Sequence, residues 1–181
     1  MLADEKIIKR ILQGRKEAFR ELMLRYQDRV FKLAYGFLGR RDDAEDVVQE
    51  TFVRVYRSLA SYSERGAFWP WVRRIAVNCC LNHISSTRPV EKLDESTVPS
   101  GEEVDPVGAE VFRRMAIEDV LRAMDGLPDA YRVALALRYI EELSCREIAD
   151  LTGEPVETVQ VRLCRARKAL ARLAVVNDEV L

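Results

Sequence analysis

The stretch SCREIADLTGEPVETVQVRLCRARKALARLAV, Ser144 to Val175, decides how the rest of the chain is read. It opens on Ser144-Cys145-Arg146-Glu147, an S-x-x-E capping box in which serine and glutamate satisfy each other's free backbone N–H groups at a helix start. Ile148, Ala149 and Leu151 give that short helix an apolar face, and Gly153 makes the turn. Val159, Leu163, Ala166, Leu170 and Leu173 then recur at helical spacing, which predicts a longer helix from about Val156 to Val175. A short capped helix, a glycine turn and a longer helix form the helix-turn-helix pattern. Thr158 to Asn177 carries Arg162, Arg165, Arg167, Lys168 and Arg172 and no acid. With the apolar stripe inward, Val161, Cys164, Arg165, Lys168 and Arg172 face outward, flanked by Thr158, Gln160 and Arg162. Such a face suits the major groove of DNA: Gln160 can pair adenine, Arg162 or Arg165 can pair guanine, and Val161 can touch a thymine methyl. The plainer alternative is a solvated basic face.

Upstream of Ser144 the helical pattern continues as far as Ala116. Ile117, Val120, Leu121 and Met124 form one stripe closed by Leu127-Pro128, and Tyr131 to Tyr139 reads as a short helix. From Ser85 to about Val111 periodicity fails. Pro89, Pro99, Gly101, Pro106 and Gly108 punctuate an acidic stretch that reads as a flexible linker, because an unstructured loop of that length is uncommon inside a compact domain.

The N-terminal third is helical again. From Lys16 to Leu38, Phe19, Leu22, Met23, Tyr26, Val30, Leu33, Ala34 and Phe37 form an apolar stripe, and Gly39 ends the helix. Asp42 is placed to cap the next helix, with Ala44, Val47, Val48, Phe52, Val55 and Leu59 inward. A loop at Ser61–Gly66 leads to a third helix, in which Phe68, Trp71, Val72, Ile75 and Cys79 share a face. Trp69 and Arg73 share another, which fits either an exposed indole beside guanidinium groups or a tryptophan that simply covers a loop. The fold class is therefore all-α: two small helical domains, 1–86 and 116–181, joined by a flexible linker at 87–115.

The net charge of the 181 residues, −1, at first argues against a nucleic-acid binder. It is a cancellation. Asp42, Asp43, Glu45, Asp46 and Glu50 put acids and no base on one short run, whereas Arg65 to Val90 has Arg65, Arg73, Arg74 and Arg88 and no acid. Two basic surfaces and one acidic surface on separate helices suggest two nucleic-acid contacts and a basic protein partner. An exposed tryptophan among arginines suits unpaired bases, with Asn78 supplying amide groups for a base edge and Tyr62 walling a pocket for an extruded base.

Composition excludes other classes. No apolar run reaches membrane-spanning length, and Met1–Arg10 lacks the apolar core of a signal peptide, so the chain is expected in the cytoplasm. With one histidine, no glycine-rich phosphate loop and no H-E-x-x-H, an enzyme is disfavoured, and no cofactor is expected. Cys79, Cys80 and His83 are a conceivable zinc set without structural-zinc spacing, and buried reduced thiols are the simpler account, so no metal is expected.

Taken together these motifs resemble the extracytoplasmic-function (ECF) RNA polymerase sigma factors, the compact branch of the sigma-70 family. Asp43-Ala-Glu-Asp-Val-Val-Gln-Glu-Thr-Phe52 is similar to the family's region 2.2, and Ala67-Phe-Trp-Pro-Trp-Val-Arg-Arg-Ile-Ala-Val-Asn78 to its regions 2.3 and 2.4. Leu127-Pro-Asp-Ala-Tyr-Arg132, Leu143 to Ala149 and Thr158 to Arg167 resemble region 4. The resemblance implies a promoter-specificity subunit that binds core RNA polymerase, with Asp43, Asp46, Gln49 and Glu50 docking on the β′ clamp and region 4 meeting the β flap. Tyr62, Ser63, Arg65, Trp69, Arg73, Arg74 and Asn78 would melt and read the minus-ten element of promoter DNA. Thr158, Gln160, Val161, Arg162, Cys164, Arg165 and Lys168 would read the minus-thirty-five element. The acidic linker would thread toward the polymerase's RNA exit path, and an anti-sigma factor is the implied regulator. Glu157 and Val161 stand where the family commonly has Gly and Ser. A stand-alone helix-turn-helix regulator is the rival; it explains the C-terminal half but not the acidic helix beside Trp69 and Arg73.

Overall fold

The computed structural model describes residues 2–62, 67–87, 121–122, 124 and 126–178, with side chains between residues 4 and 170 of those ranges. All regular structure among them is helical. The predicted linker, apart from Thr87, lies outside the described residues, as do Ile117 and Val120 of the stripe before Leu127.

The first helix, α1 (Leu2–Leu12), is absent from the sequence-based expectation. Ile7, Ile8 and Ile11 are buried on one face, but in the sequence they are hidden among Asp4, Glu5, Lys6, Lys9 and Arg10. Asp4 ties α1 to the next helix, accepting a hydrogen bond from the Tyr26 hydroxyl at 2.7 Å and pairing with Arg25. A 3₁₀ turn at Lys16–Ala18 leads into α2 (Phe19–Leu38), which stops at Gly39. Gly39 has φ +68°, the left-handed geometry in which a Cβ is disfavoured, and its N–H closes on the Tyr35 carbonyl at 2.8 Å.

α3 (Arg41–Ser58) starts two residues earlier than a cap at Asp42 would place it. Arg40, in extended backbone, is the residue before the helix, so Asp42 is not the cap. Asp42 and Asp43 instead sit in the first turn, where free N–H groups favour negative charge. After a 3₁₀ turn at Leu59–Ser61, α4 spans Phe68–Thr87, well past Cys79 where the apolar pattern fades. Its last turn is prolonged by side chains: the Ser85 hydroxyl donates to the Asn82 carbonyl at 3.0 Å, and Ser86 and Thr87 donate to that of His83 at 3.0 and 2.7 Å. Leu22, Leu33, Phe37, Val47, Val55 and Val72 fill the core among α2, α3 and α4.

In the C-terminal half, α5 (Asp129–Leu135) runs into a π-helical turn at Ala136–Ile140. α6 (Cys145–Thr152) begins with the predicted capping box: the Glu147 N–H donates to Ser144 Oγ at 3.3 Å, and the Ser144 N–H to Glu147 Oε2 at 2.8 Å. After the Gly153 turn, α7 (Val156–Asp178) lays Val159, Leu163, Ala166 and Leu170 against α5 and α6.

The halves touch. α5 and the π turn pack on α2, and α6 approaches α4. The Arg132 Nε–H donates to the Phe37 carbonyl at 3.1 Å, satisfying an acceptor in the last turn of α2. Gly36 permits the approach: a Cβ there would lie 3.0 Å from Ile140 Cδ1 and 3.1 Å from Ala136 Cβ.

Candidate nucleic-acid interface

The acidic helix α3 presents its charges unevenly. Asp46 and Gln49 are exposed, and among the described residues Asp46 has no ion-pair partner. Glu50 is also exposed but holds Arg54 at 2.5 Å, four residues on. Asp43 is half-buried, 3.7 Å from both Arg40 and His83. Val53, one turn beyond Gln49 and Glu50, leaves 48 % of its surface in solvent, so the outward face is acidic with an apolar margin.

The aromatic helix differs from expectation at its most informative residue. Trp69 is buried, only 7 % exposed, rather than an open stacking platform. Its ring stacks on Tyr26, at 5.9 Å between centroids and 8° between planes, and the Arg29 guanidinium lies 4.1 Å from the ring centroid. The indole N–H donates to Glu141 Oε2 at 2.8 Å. The same oxygen receives Arg29 at 3.3 Å and Arg73 at 3.4 Å. The sequence placed Trp69 and Arg73 together on one face, and the structure keeps them together, but Tyr26 and Arg29 of α2 cover the indole and Glu141 of the other half closes over its N–H and Arg73. Arg74, exposed, donates to the Asp150 carbonyl of α6 at 3.1 Å. Asn78 is exposed. Tyr62 packs edge-on against Phe68 at 5.2 Å and lies 5.2 Å from Trp71, an aromatic wall at the start of the loop. Ser63 and Arg65 lie outside the described residues.

Tyr26, Arg29 and Glu141 belong to this cluster and are missing from the sequence-based set. Tyr26 and Arg29 do stand one turn apart on α2, but Tyr26 reads as one more core aromatic. Glu141 reads as one of the acids of Glu141–Glu157; nothing in its neighbours announces burial.

On α7 Val159, Leu163, Ala166 and Leu170 of the expected stripe are buried, Leu173 lies beyond the described side chains, and Gln160 and Lys168 are exposed. Thr158, Val161, Cys164 and Arg165 are half-buried. Arg162 is held by Glu154, its Nη1 at 2.7 Å from each carboxylate oxygen. That pair turns one of the two candidate guanine readers back onto the turn. Arg172 lies beyond the described side chains.

The cysteines do not form a centre. Cys79 and Cys80 are buried free thiols, and burial pushes the pKa of each up, away from the reactive thiolate. His83 faces Asp43, and no group of three potential metal ligands occurs among the described residues. No helix of the described residues is long and apolar enough to cross a membrane.

Comparison with known proteins fits this layout. Residues 22–89 match the sigma-70 region 2 family and residues 117–170 match sigma-70 region 4. The chain is 33 % identical to the ECF RNA polymerase sigma factor SigW of Bacillus subtilis, over 93 % of this chain and 95 % of that one. It is 34 % identical to the ECF RNA polymerase sigma-E factor of Haemophilus influenzae, over 93 % and 94 %. A solved structure of the sigma factor RpoE in complex with the anti-sigma factor NepR from Bartonella quintana shares the fold, with a TM-score of 0.60 and 20 % identity over 87 % of this chain and 97 % of that one. Two helical units, one with an acidic outward helix and one a capped helix-turn-helix, define a DNA-recognition subunit rather than an enzyme. The chain belongs to the ECF RNA polymerase sigma factors of the sigma-70 family.

Proposed function

We propose that this sigma factor divides its work between residues 1–86 and 116–181, with 87–115 as the linker. The exposed face of α3, through Asp46, Gln49 and Glu50 with Asp43 beside them, docks on the β′ clamp of core polymerase. Opposed charge there raises encounter rate and fixes register. Tyr62, Ser63, Arg65, Trp69, Arg73, Arg74 and Asn78 melt and read the minus-ten element. Thr158, Gln160, Val161, Arg162, Cys164, Arg165 and Lys168 face the minus-thirty-five element, region 4 rests on the β flap, and an anti-sigma factor holds the chain inactive. All of this takes place in the cytoplasm, where core polymerase is.

The observation that carries this reading is the pairing in one chain of an outward acidic helix with a helix-turn-helix. The latter's last helix turns Gln160 and Lys168 outward behind a formed capping box. A stand-alone regulator needs the second feature only. Run-off transcription with core polymerase on a promoter library is the test. Initiation from a defined promoter class is expected, lost with Asp46→Ala/Glu50→Ala. Tight duplex binding by the free chain with no transcription in the presence of core would overturn the assignment.

A further inference from the structure

We infer that Glu141 is an internal competitor for a single-stranded DNA site built from Arg29, Trp69 and Arg73. The inference rests on the proposed minus-ten role of Trp69 and Arg73, and it adds Arg29 and Glu141 to that site. One carboxylate oxygen of Glu141 receives an indole N–H at 2.8 Å and two guanidinium groups at 3.3 and 3.4 Å. Two guanidiniums and an indole N–H converging on one anionic oxygen are donors of the kind with which proteins hold the backbone of a nucleic-acid strand, with the phosphate oxygen as the anion. In the closed chain the anion is supplied by the protein itself, from the half that carries the helix-turn-helix.

The closure is imperfect in a way that favours exchange. Glu141 side-chain exposure is 1 %, yet its Oε1 has no hydrogen-bond partner, and neither has the buried Nε of Arg73. A buried ion pair with unsatisfied groups gains little over the separated, hydrated state. A phosphate brings more acceptor oxygens to the same indole and guanidinium donors. Opening the contact between α5–α6 and α2–α4 therefore exchanges Glu141 for DNA, and while the chain is closed its affinity for a single strand is reduced by the fraction that is open.

The test uses the full chain in a Trp71→Phe background, so that Trp69 is the remaining indole. Two readouts are taken: acrylamide quenching of Trp69, and binding of a fluorescein-labelled, mixed-sequence pool of single-stranded DNA. Glu141→Gln, which keeps the side-chain shape, is expected to raise quenching and to tighten DNA binding about tenfold. Adding Arg29→Ala should abolish the gain. Arg132→Met, which removes the bond to the Phe37 carbonyl without touching the nook, should give the same gain by another route and covers the case in which Glu141→Gln misfolds. Unchanged quenching in both Glu141→Gln and Arg132→Met overturns the closure. Raised quenching with unchanged DNA binding overturns the competition, and Trp69→Ala in the polymerase holoenzyme then separates two causes. If it impairs open-complex formation, the minus-ten assignment stands and only Glu141's role falls; if it does not, the minus-ten assignment falls with it.

Discussion

At the scale of single residues, the acids of α3 are not equivalent. Asp43 is engaged with Arg40 and His83, Glu50 with Arg54, and of these three clamp candidates Asp46 is the exposed one with no ion pair among the described residues. Asp46→Ala should weaken core polymerase binding by roughly 1 kcal/mol, about fivefold, because an exposed charge pair contributes on that order. The loss should shrink as salt is raised. Equal affinity of mutant and wild type in a fluorescence titration at low salt would remove Asp46 from the interface. On α7 the exposed residues divide by kind of contact. Gln160 lies near the helix start, where base edges come within reach, and Gln160→Ala should cost roughly 1–3 kcal/mol on one upstream sequence and much less on variants at a single base pair. Lys168→Ala, further along, should weaken all sequences alike and lower the salt slope of binding by about one. Measuring both variants as holoenzyme against a set of upstream substitutions distinguishes them, and the opposite pattern would exchange their roles.

At the scale of elements, what the sequence made legible was what local chemistry controls. The Ser144–Glu147 box, the stop at Gly39, the Gly153 turn and the inward stripe of α7 all sit where residue type and spacing place them, because caps, left-handed glycines and helical periodicity act within a few residues. The errors arose where the deciding partner is distant or the signal short. α1 is not legible in the sequence because three isoleucines among five charges look like a polar segment until α2 supplies their cover. Asp42 is not the cap because the helical hydrogen bonding already begins at the Arg40 carbonyl, which accepts from the Ala44 N–H. The capping box also makes a testable pH statement. Hydrogen bonds from Ser144 hold the Glu147 carboxyl below its ordinary value of 4.5. A carboxylate with a lowered folded-state pKa stabilises fully above the unfolded value and loses that contribution as pH falls through the folded one. Wild type should therefore be more stable than Glu147→Gln at neutral pH, with the gap in thermal unfolding temperature closing as pH drops below 4.5. A gap that is constant from pH 7 to pH 3 would mean that charge is irrelevant to the cap.

At the scale of the whole molecule, the two helical units were legible but their contact was not, since nothing in a linear pattern says that Glu141 will be buried against Trp69 or that Arg132 will reach Phe37. One residue does carry a trace of it. Gly36 stands in the last turn of α2, two residues before its end, where glycine costs up to about 1 kcal/mol relative to alanine. The helix accepts that penalty at the one place where the backbone of α2 comes against Ile140, Ala136 and Leu121 of the other half. Near-neutral net charge then acquires a structural counterpart. One acid of the C-terminal half, Glu141, faces Arg29 of α2 and Arg73 of α4 inside one chain, so attraction that could be directed at DNA is partly spent internally. Enlarging residue 36 separates the two consequences of this contact. Gly36→Leu cannot keep the present approach, because even its Cβ meets Ile140 Cδ1 at 3.0 Å, and a leucine adds three further carbons. The substitution also raises helix propensity in α2, so the N-terminal unit should stay folded while the halves part. Small-angle scattering should show a larger radius of gyration at unchanged helical circular dichroism, and limited proteolysis should cut faster between residues 87 and 120. If the radius does not change, the two halves are not held together through α2 in solution. If helicity falls instead, Gly36 serves the fold of the N-terminal unit and not the approach of its partner.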